Sequence, residues 1–336
     1  MILVTGGTGL LGAQLLLDLI PIAIGTGKRV RALKRETSSL TTLNLLFAEN
    51  KNLLGNIEWV EGDVTDFFSL QEAMKGITEV YHCAALVSFL PRDRNQLMKT
   101  NAEGTAHMVN LALENRVEKF CYVSSVAAIG RAEEGKMIDE NAVWKASKNN
   151  SNYAISKYSG EREVWRAMEE GLNAVIVNPT IILGAGNWKS GSSQMFGQMW
   201  KGFSFYSEGI NGFVDAGDVS KSMIALMEKK SFGKRFIVVS ENLSYRRVFD
   251  MVADGLEKNR PSIPVSKTMS GIGWRLEVLR ASLMRRDPFI TRETASSSQL
   301  QWLYSNAKIK KEIVVEFMPV KESVEKVAKL FLKQYA

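Results

Sequence analysis

Three glycines spaced three residues apart follow directly on a short apolar run at the start of this chain, and that pattern admits few folds. The opening reads Met1-Ile-Leu-Val-Thr-Gly-Gly-Thr-Gly-Leu-Leu-Gly12, and apolar residues then recur at helical spacing from Leu10 to Ile20. An apolar run, a glycine turn and a 3.6-residue period predict a strand, a tight turn and a helix. Glycine permits φ > 0 and lets the backbone approach a ligand. The free N–H groups at the helix start favour an anion such as a pyrophosphate. Gly6, Thr8, Gly9, Leu10, Leu11 and Gly12 are therefore candidate dinucleotide contacts. The spacing is Gly-x-x-Gly-x-x-Gly, not the more familiar Gly-x-Gly-x-x-Gly, and a turn that binds nothing is the alternative reading of the spacing by itself.

The rest of the chain alternates in the same way. Candidate strands at 2–4, 29–33, 57–60, 78–83, 119–124, 174–178 and 235–239 interleave with candidate helices at 10–20, 69–75, 95–115, 151–170, 218–229 and 244–258. This implies βαβ crossovers and an α/β fold, a doubly wound parallel (Rossmann) sheet with a smaller discontinuous C-terminal substrate domain. The rhythm breaks after Pro179: residues 184–212 and about 260–319 show no clean period. We expect residues 1–180 with 213–240 to form the dinucleotide domain, and 181–212 with 241–336 the substrate part.

Charge and cysteine usage narrow the partners. The 336 residues carry 43 basic and 36 acidic side chains, a net +7 without a long single-sign block. That balance suits an anionic cofactor, and no base-reading motif points to nucleic acid. Cys83, Cys121, His82 and His107 fit no metal spacing, so no metal is expected, and two cysteines suit a reduced, cytoplasmic setting. The first strand begins at residue 2, which leaves no room for a cleavable signal. Gln14, Asp18 and Pro21 interrupt the most apolar window, so no transmembrane span is expected. The basic stretch Trp274–Arg286 has two readings, a membrane-surface helix or packing of Trp274, Val278 and Leu279 against the small domain; the second is expected.

Tyr153 and Lys157 stand at i and i+4, where a helix places them on one face, and Ser124-Ser125 ends a candidate strand upstream. Alone, each has an ordinary structural explanation. Together with Thr5–Gly12, Gly62-Asp63-Val64, His82-Cys83-Ala84-Ala85, Thr100-Asn101-x-x-Gly104-Thr105 and Val123-Ser124-Ser125, they resemble the extended short-chain dehydrogenase/reductase family in order and spacing. Asn178-Pro179-Thr180 and Phe213-Val214-Asp215-x-x-Asp218-Val219 are similar to its later landmarks. Pro288–Thr294 and Tyr304–Lys308 are similar to the branch holding dihydroflavonol reductases, sterol-type dehydrogenases and sugar epimerases.

The resemblance implies catalysis by Ser125, Tyr153 and Lys157. Lys157 would lower the pKa of Tyr153 and hold the nicotinamide ribose, Tyr153 would exchange a proton with the substrate oxygen, and Ser125 would orient that oxygen. It implies further cofactor contacts at Asp63, Val64, Ala84, Ala85, Asn101, Asn178, Pro179 and Thr180. A turn-forming role for Asp63 and a bracing role for Asn101 are the alternatives, and His82 reads as a packed strand-end residue. The acid that would bind the ribose of NAD at the end of the second strand is replaced by Lys34, with Arg35 beside it and Arg31 earlier in the strand. This favours NADP over NAD, although Glu36 follows at once. Ser125 precedes Val126, Ala127 and Ala128 in place of an Asp-Glu pair, which disfavours dehydration.

The expected activity is an NADP-dependent oxidoreductase on a ketone, aldehyde or alcohol. A nucleotide-sugar epimerase and a non-catalytic NADP-sensing protein are the alternatives. Leu86, Val87, Phe89, Trp144, Trp188, Phe196, Phe203 and Tyr206 are candidate substrate contacts, or simply core. Helices 95–115 and 151–170 resemble the pair through which family members form homodimers, with Val164 and Trp165 as interface candidates.

Overall fold

Seven strands form one parallel sheet: β1 (Ile2–Thr5), β2 (Val30–Lys34), β3 (Ile57–Glu61), β4 (Glu79–His82), β5 (Lys119–Val123), β6 (Ala174–Pro179) and β7 (Lys234–Val238). The order is β7-β6-β5-β4-β1-β2-β3 in this computed structural model, which describes residues 1–131, 133, 135–147, 150–283, 287–288 and 291–335. Helices cover both faces, so strand residues such as Leu3, Val4, Val80, Phe120 and Val175 are fully buried, as a parallel sheet requires. β1 lies between β2 and β4, with Ile2 opposite Val30 on one side and Thr5 opposite His82 on the other. The winding direction changes there, and doubly wound sheets bind ligands beyond the strand ends at such a point.

Every expected strand is present, and the differences lie elsewhere. The first helix runs from Leu10 to Gly25, through Pro21. That proline is exposed, so the backbone group it leaves unpaired is open to water. The helix expected at 95–115 is divided: α-helical Arg94–Met98 and Gly104–Glu114 flank a π-helical turn at Lys99–Glu103. The strand Ile210–Asp215 does not join the main sheet. It pairs with Ile181–Leu183 and Glu241–Ser244 in a separate three-stranded sheet, and the chain returns to the large sheet only through the helix Ala216–Glu228 and β7.

The stretches without a clean period hold the helices Gln194–Trp200, Lys267–Leu283, Arg292–Ser297 and Ala307–Glu312, and a last helix spans Val320–Tyr335. Val320, Val324, Val327, Ala328 and Phe331 of that last helix are buried against the Tyr245–Gly255 helix in a second core. In the Lys267–Leu283 helix the packing expected of Val278 and Leu279 is not found: they are 40% and 59% exposed, beside exposed Ile272 and Leu276. This helix has apolar residues all round, so its period does not indicate which face packs. Met284–Arg286 of the basic stretch, and Phe289 and Ile290 of the following motif, lie outside the described residues. Among the described residues no helix is long and apolar enough to cross a membrane.

Candidate active site

The glycine turn is shaped by close backbone contacts. Gly6 has φ +70°, and a Cβ on it would lie 2.7 Å from the Ala84 nitrogen; one on Gly12 would lie 2.1 Å from the Gly6 carbonyl oxygen. Side chains at either place would push β1, the helix and the β4 end apart. Gly9 is the N-cap and supplies no side-chain hydrogen bond. The first intrahelical bond runs from the Ala13 N–H to the Gly9 carbonyl, 2.9 Å, so the N–H groups of Leu10, Leu11 and Gly12 are left for an external acceptor. This cradle fits a cofactor diphosphate.

At the end of β2, Lys34 is half-buried and Arg35 exposed. Arg31 is a correction. Its guanidinium bonds Glu58 at 2.8 Å and the carbonyls of Ala73 and Lys75 at 2.8 and 2.9 Å; three residues short of the strand end, it is tied down on the sheet. Asp63 makes the turn considered as its alternative, since its Oδ1 accepts from the N–H and hydroxyl of Thr65. Val64 is buried, and its carbonyl accepts from the His107 ring.

Tyr153 and Lys157 lie on the helix Asn152–Glu169, whose N-cap Ser151 accepts from the Ala154 N–H at 3.0 Å. The Ser125 hydroxyl, just past the end of β5, accepts from the Ala127 N–H at 3.1 Å and lies near enough to the Tyr153 phenol to favour its charged form. Lys157 is buried; its Nζ donates to the Val123 carbonyl at 2.7 Å and lies 4.6 Å from the centre of the Tyr122 ring. Burial pulls its pKa down to about 7, and the Glu161 carboxylate opposes that fall. The expected lowering of the Tyr153 pKa is not found. Burial pushes the phenol up, and the Ser125 hydroxyl pulls the other way. Burial of the phenol is the larger cause, and the Lys157 Nζ is turned to the Val123 carbonyl.

Asn101 has the bonds of the bracing role open to it. Its amide exchanges two hydrogen bonds with the Leu86 backbone, at 2.8 and 2.9 Å, and donates to Ser156 at 2.9 Å. Every bond goes to the protein, so it braces the loop after β4 against the Tyr153 helix, the alternative role weighed for it. Ala84 and Ala85 follow β4, with the Ala84 N–H donating to Thr5. Asn178 donates to the Ser125 carbonyl at 3.0 Å and to Glu161 at 2.8 Å, while its own Oδ1 is buried without a partner. An orphaned acceptor beside Ser125 suits a donor from a bound ligand. Pro179 ends β6 opposite Val238, and both the N–H and the hydroxyl of Thr180 donate to the Val238 carbonyl, at 3.1 and 3.3 Å.

Of the aromatic candidates, Phe89 meets the Tyr153 ring, at 5.6 Å between centroids, and Leu86 and Val87 share its loop. Trp144 stacks on Tyr158. Trp188 and Phe196 are buried in the second core against Phe331 and each other, Phe203 packs on Phe249, and Tyr206 lies under Arg246. These five serve packing. Val164 is also buried inside the subunit, not at an interface; Trp165 is half-buried. One residue was missed: Glu161, 2% exposed, follows Lys157 by four as Lys157 follows Tyr153, so extending the same spacing by one step would have found it.

A doubly wound sheet with a diphosphate cradle at its switch point and a Tyr–Lys–Ser cluster at the adjoining strand end defines a Rossmann-type NAD(P)-dependent enzyme. The chain belongs to the NAD dependent epimerase/dehydratase family, whose sequence profile matches residues 2–239, within the extended short-chain dehydrogenases/reductases. It is similar to sterol demethylase protein B of Methylococcus capsulatus, 28% identical over 300 residues that cover 87% of this chain and 84% of that one. Cinnamoyl-CoA reductase 1 of Petunia hybrida is 23% identical over 340 residues, 98% and 91% of the two chains. Among solved structures, that of gox2253 superposes with a TM-score of 0.81 at 29% identity, covering 99% of this chain and 98% of that one.

Proposed function

We propose that the protein is an NADP-dependent oxidoreductase acting on a ketone or aldehyde, or on the corresponding alcohol, with an apolar or aromatic body. The observation that carries this reading is Tyr153 one helical turn from buried Lys157 on the helix next to Ser125, beside a glycine cradle at the sheet's switch point. The N–H groups of Leu10, Leu11 and Gly12 would hold the diphosphate, Lys34 and Arg35 the 2′-phosphate, and Asp63 and Val64 the adenine. The bound nicotinamide supplies or takes the hydride. Tyr153 gives or takes the proton at the substrate oxygen, Ser125 orients that oxygen, and Lys157 stabilises the phenolate when it is charged. Phe89, with Leu86 and Val87, offers the substrate an apolar wall. The same reading makes the protein a cytoplasmic homodimer.

Glu36, exposed beside Arg35, favours the second reading, a nucleotide-sugar epimerase that retains NAD. Incubating purified protein with NADPH and a panel of apolar ketones, aromatic aldehydes and nucleotide sugars tests both. Carbonyl-dependent NADPH oxidation with an exchangeable cofactor is the expected result. Tightly copurifying NAD with inversion of a sugar centre would replace it by the epimerase. A non-catalytic NADP sensor would bind cofactor and turn over nothing, an outcome the presence of both Tyr153 and Lys157 argues against.

A further inference from the structure

We propose that Glu161 is a positioning residue for Lys157, an acid one helical turn further along the same face whose fixed negative charge holds the Lys157 side chain as an ammonium. This rests on the reading of Tyr153 and Lys157 as the proton-transfer pair. The carboxylate has donors on both oxygens. Oε2 accepts from the Ser124 hydroxyl at 2.6 Å and from Asn178 at 2.8 Å, and Oε1 accepts from Arg235 at 3.0 Å and from the Trp165 indole at 3.3 Å. A carboxylate has about four lone-pair positions, and the four donors here take them up. The donors come from the ends of β5 and β6, from β7 and from the helix itself, so the charge is locked in place.

Lys157 needs that charge. Its one hydrogen bond is to a neutral carbonyl and it faces an aromatic ring; burial alone disfavours the charged amine, and Glu161 is the leading group that opposes it. The other titratable groups around it are Tyr153 on the same helix, His82 and Cys83 at the β4 end, and Tyr122 on β5. His82, with its pKa pulled by burial to about 3, and Cys83, pushed by burial to about 12, carry no charge at neutral pH. Arg235 on β7 stands beyond Glu161, and its remaining N–H groups bond the carbonyls of Glu140 and Ala142.

A mere bracing role and a charge-setting role predict opposite signs. Loosening the site would let water reach Lys157 and move its titration midpoint up; removing a fixed negative charge moves it down. The test is a carbon-13 titration of protein labelled at the lysine ε-carbon, with the Lys157 signal assigned by its loss in Lys157→Met. In Glu161→Gln the midpoint is expected to fall by about 1–3 pH units, and Glu161→Asp should recover most of the loss. Should the Gln variant not fold because Arg235 is left unpaired, Glu161→Gln combined with Arg235→Met removes both charges, and the midpoint is again expected below wild type. An unchanged or raised midpoint in a folded variant overturns the proposal. The titration uses neither substrate nor cofactor, so its failure is separate from that of the catalytic reading, which Tyr153→Phe tests.

Discussion

His82 Nε2 lies 3.1 Å from the Thr105 hydroxyl, which itself donates to the Asn101 carbonyl at 2.7 Å. The Thr105 oxygen must therefore accept, and the ring must carry its proton on Nε2. That leaves Nδ1 to accept from Thr5, 2.7 Å away. Both threonines are thus satisfied by one neutral tautomer, and a second proton on the ring would meet the Thr5 donor head-on.

A pH dependence follows. Burial, with a smaller effect from Lys157, pulls the His82 pKa from 6.5 to about 3. The unfolded chain takes up the proton first as pH falls, so this group's stabilising contribution is complete above about 6.5 and is lost progressively towards 3, at up to about 1.4 kcal/mol per pH unit. His82→Gln should be less stable at pH 7 and show a shallower loss on acidification. Denaturant midpoints at several pH values between the two limits measure this, and parallel slopes for variant and wild type would contradict it.

Replacing Tyr153 by Phe removes the proton donor and leaves the glycine cradle intact. Turnover is expected to fall by about 10²–10⁴-fold, with NADPH affinity nearly unchanged by fluorescence titration. Near-normal activity on a substrate the wild type reduces would refute the assignment of Tyr153.

Arg35 is exposed at the end of β2 and free to meet a phosphate, a charge-assisted contact of about 1.5–3 kcal/mol. Arg35→Ala should therefore bind NADPH roughly 10- to 100-fold more weakly and NADH as before. Calorimetric titration of cofactor-free protein reads both. Tighter NADH binding by the wild type would instead favour the acid Glu36.

Trp165 is half-buried on the Tyr153 helix, packed against the core cluster, with its indole N–H donating to Glu161. If this helix meets its symmetry mate, a lysine there buries a charge at the interface while a neighbouring acid keeps the subunit tolerant of it. Sedimentation velocity of Trp165→Lys should show a shift to monomer. A wild type that is already monomeric, or an unshifted dimer, removes the idea.

What the sequence conveyed depended on whether a residue's work is done by its own neighbours in the chain. The β1 turn and the Tyr153–Lys157 pair are local patterns of glycine and helical spacing, and both are found where the pattern puts them. The packing of Arg31 and Asn101 is not legible in that way. Their partners, Glu58 and Ala73 for one, Leu86 and Ser156 for the other, are brought in by the tertiary fold, and no spacing encodes which long polar side chain will be tied down. For the Lys267–Leu283 helix the sequence conveys the stretch from Trp274 but not the face that packs, because apolar residues on every face blur its period. The Val320–Tyr335 helix carries a local signal, with Val320, Val324, Val327, Ala328 and Phe331 on its buried face.

The π-helical turn at Lys99–Glu103 holds one residue more than an α-helical path between the same flanking segments would need. Excising a single residue there would let the backbone settle into an ordinary α-helix, a locally better bonded segment. The flanking helices would keep their relation, because the extra residue is absorbed within the turn, but the side chains of the turn itself would be re-aimed, carrying Asn101 away from Leu86 and Ser156. The segment is thus a place where local helical stability and the geometry of the site pull against each other, and the inserted residue is kept on the side of the site.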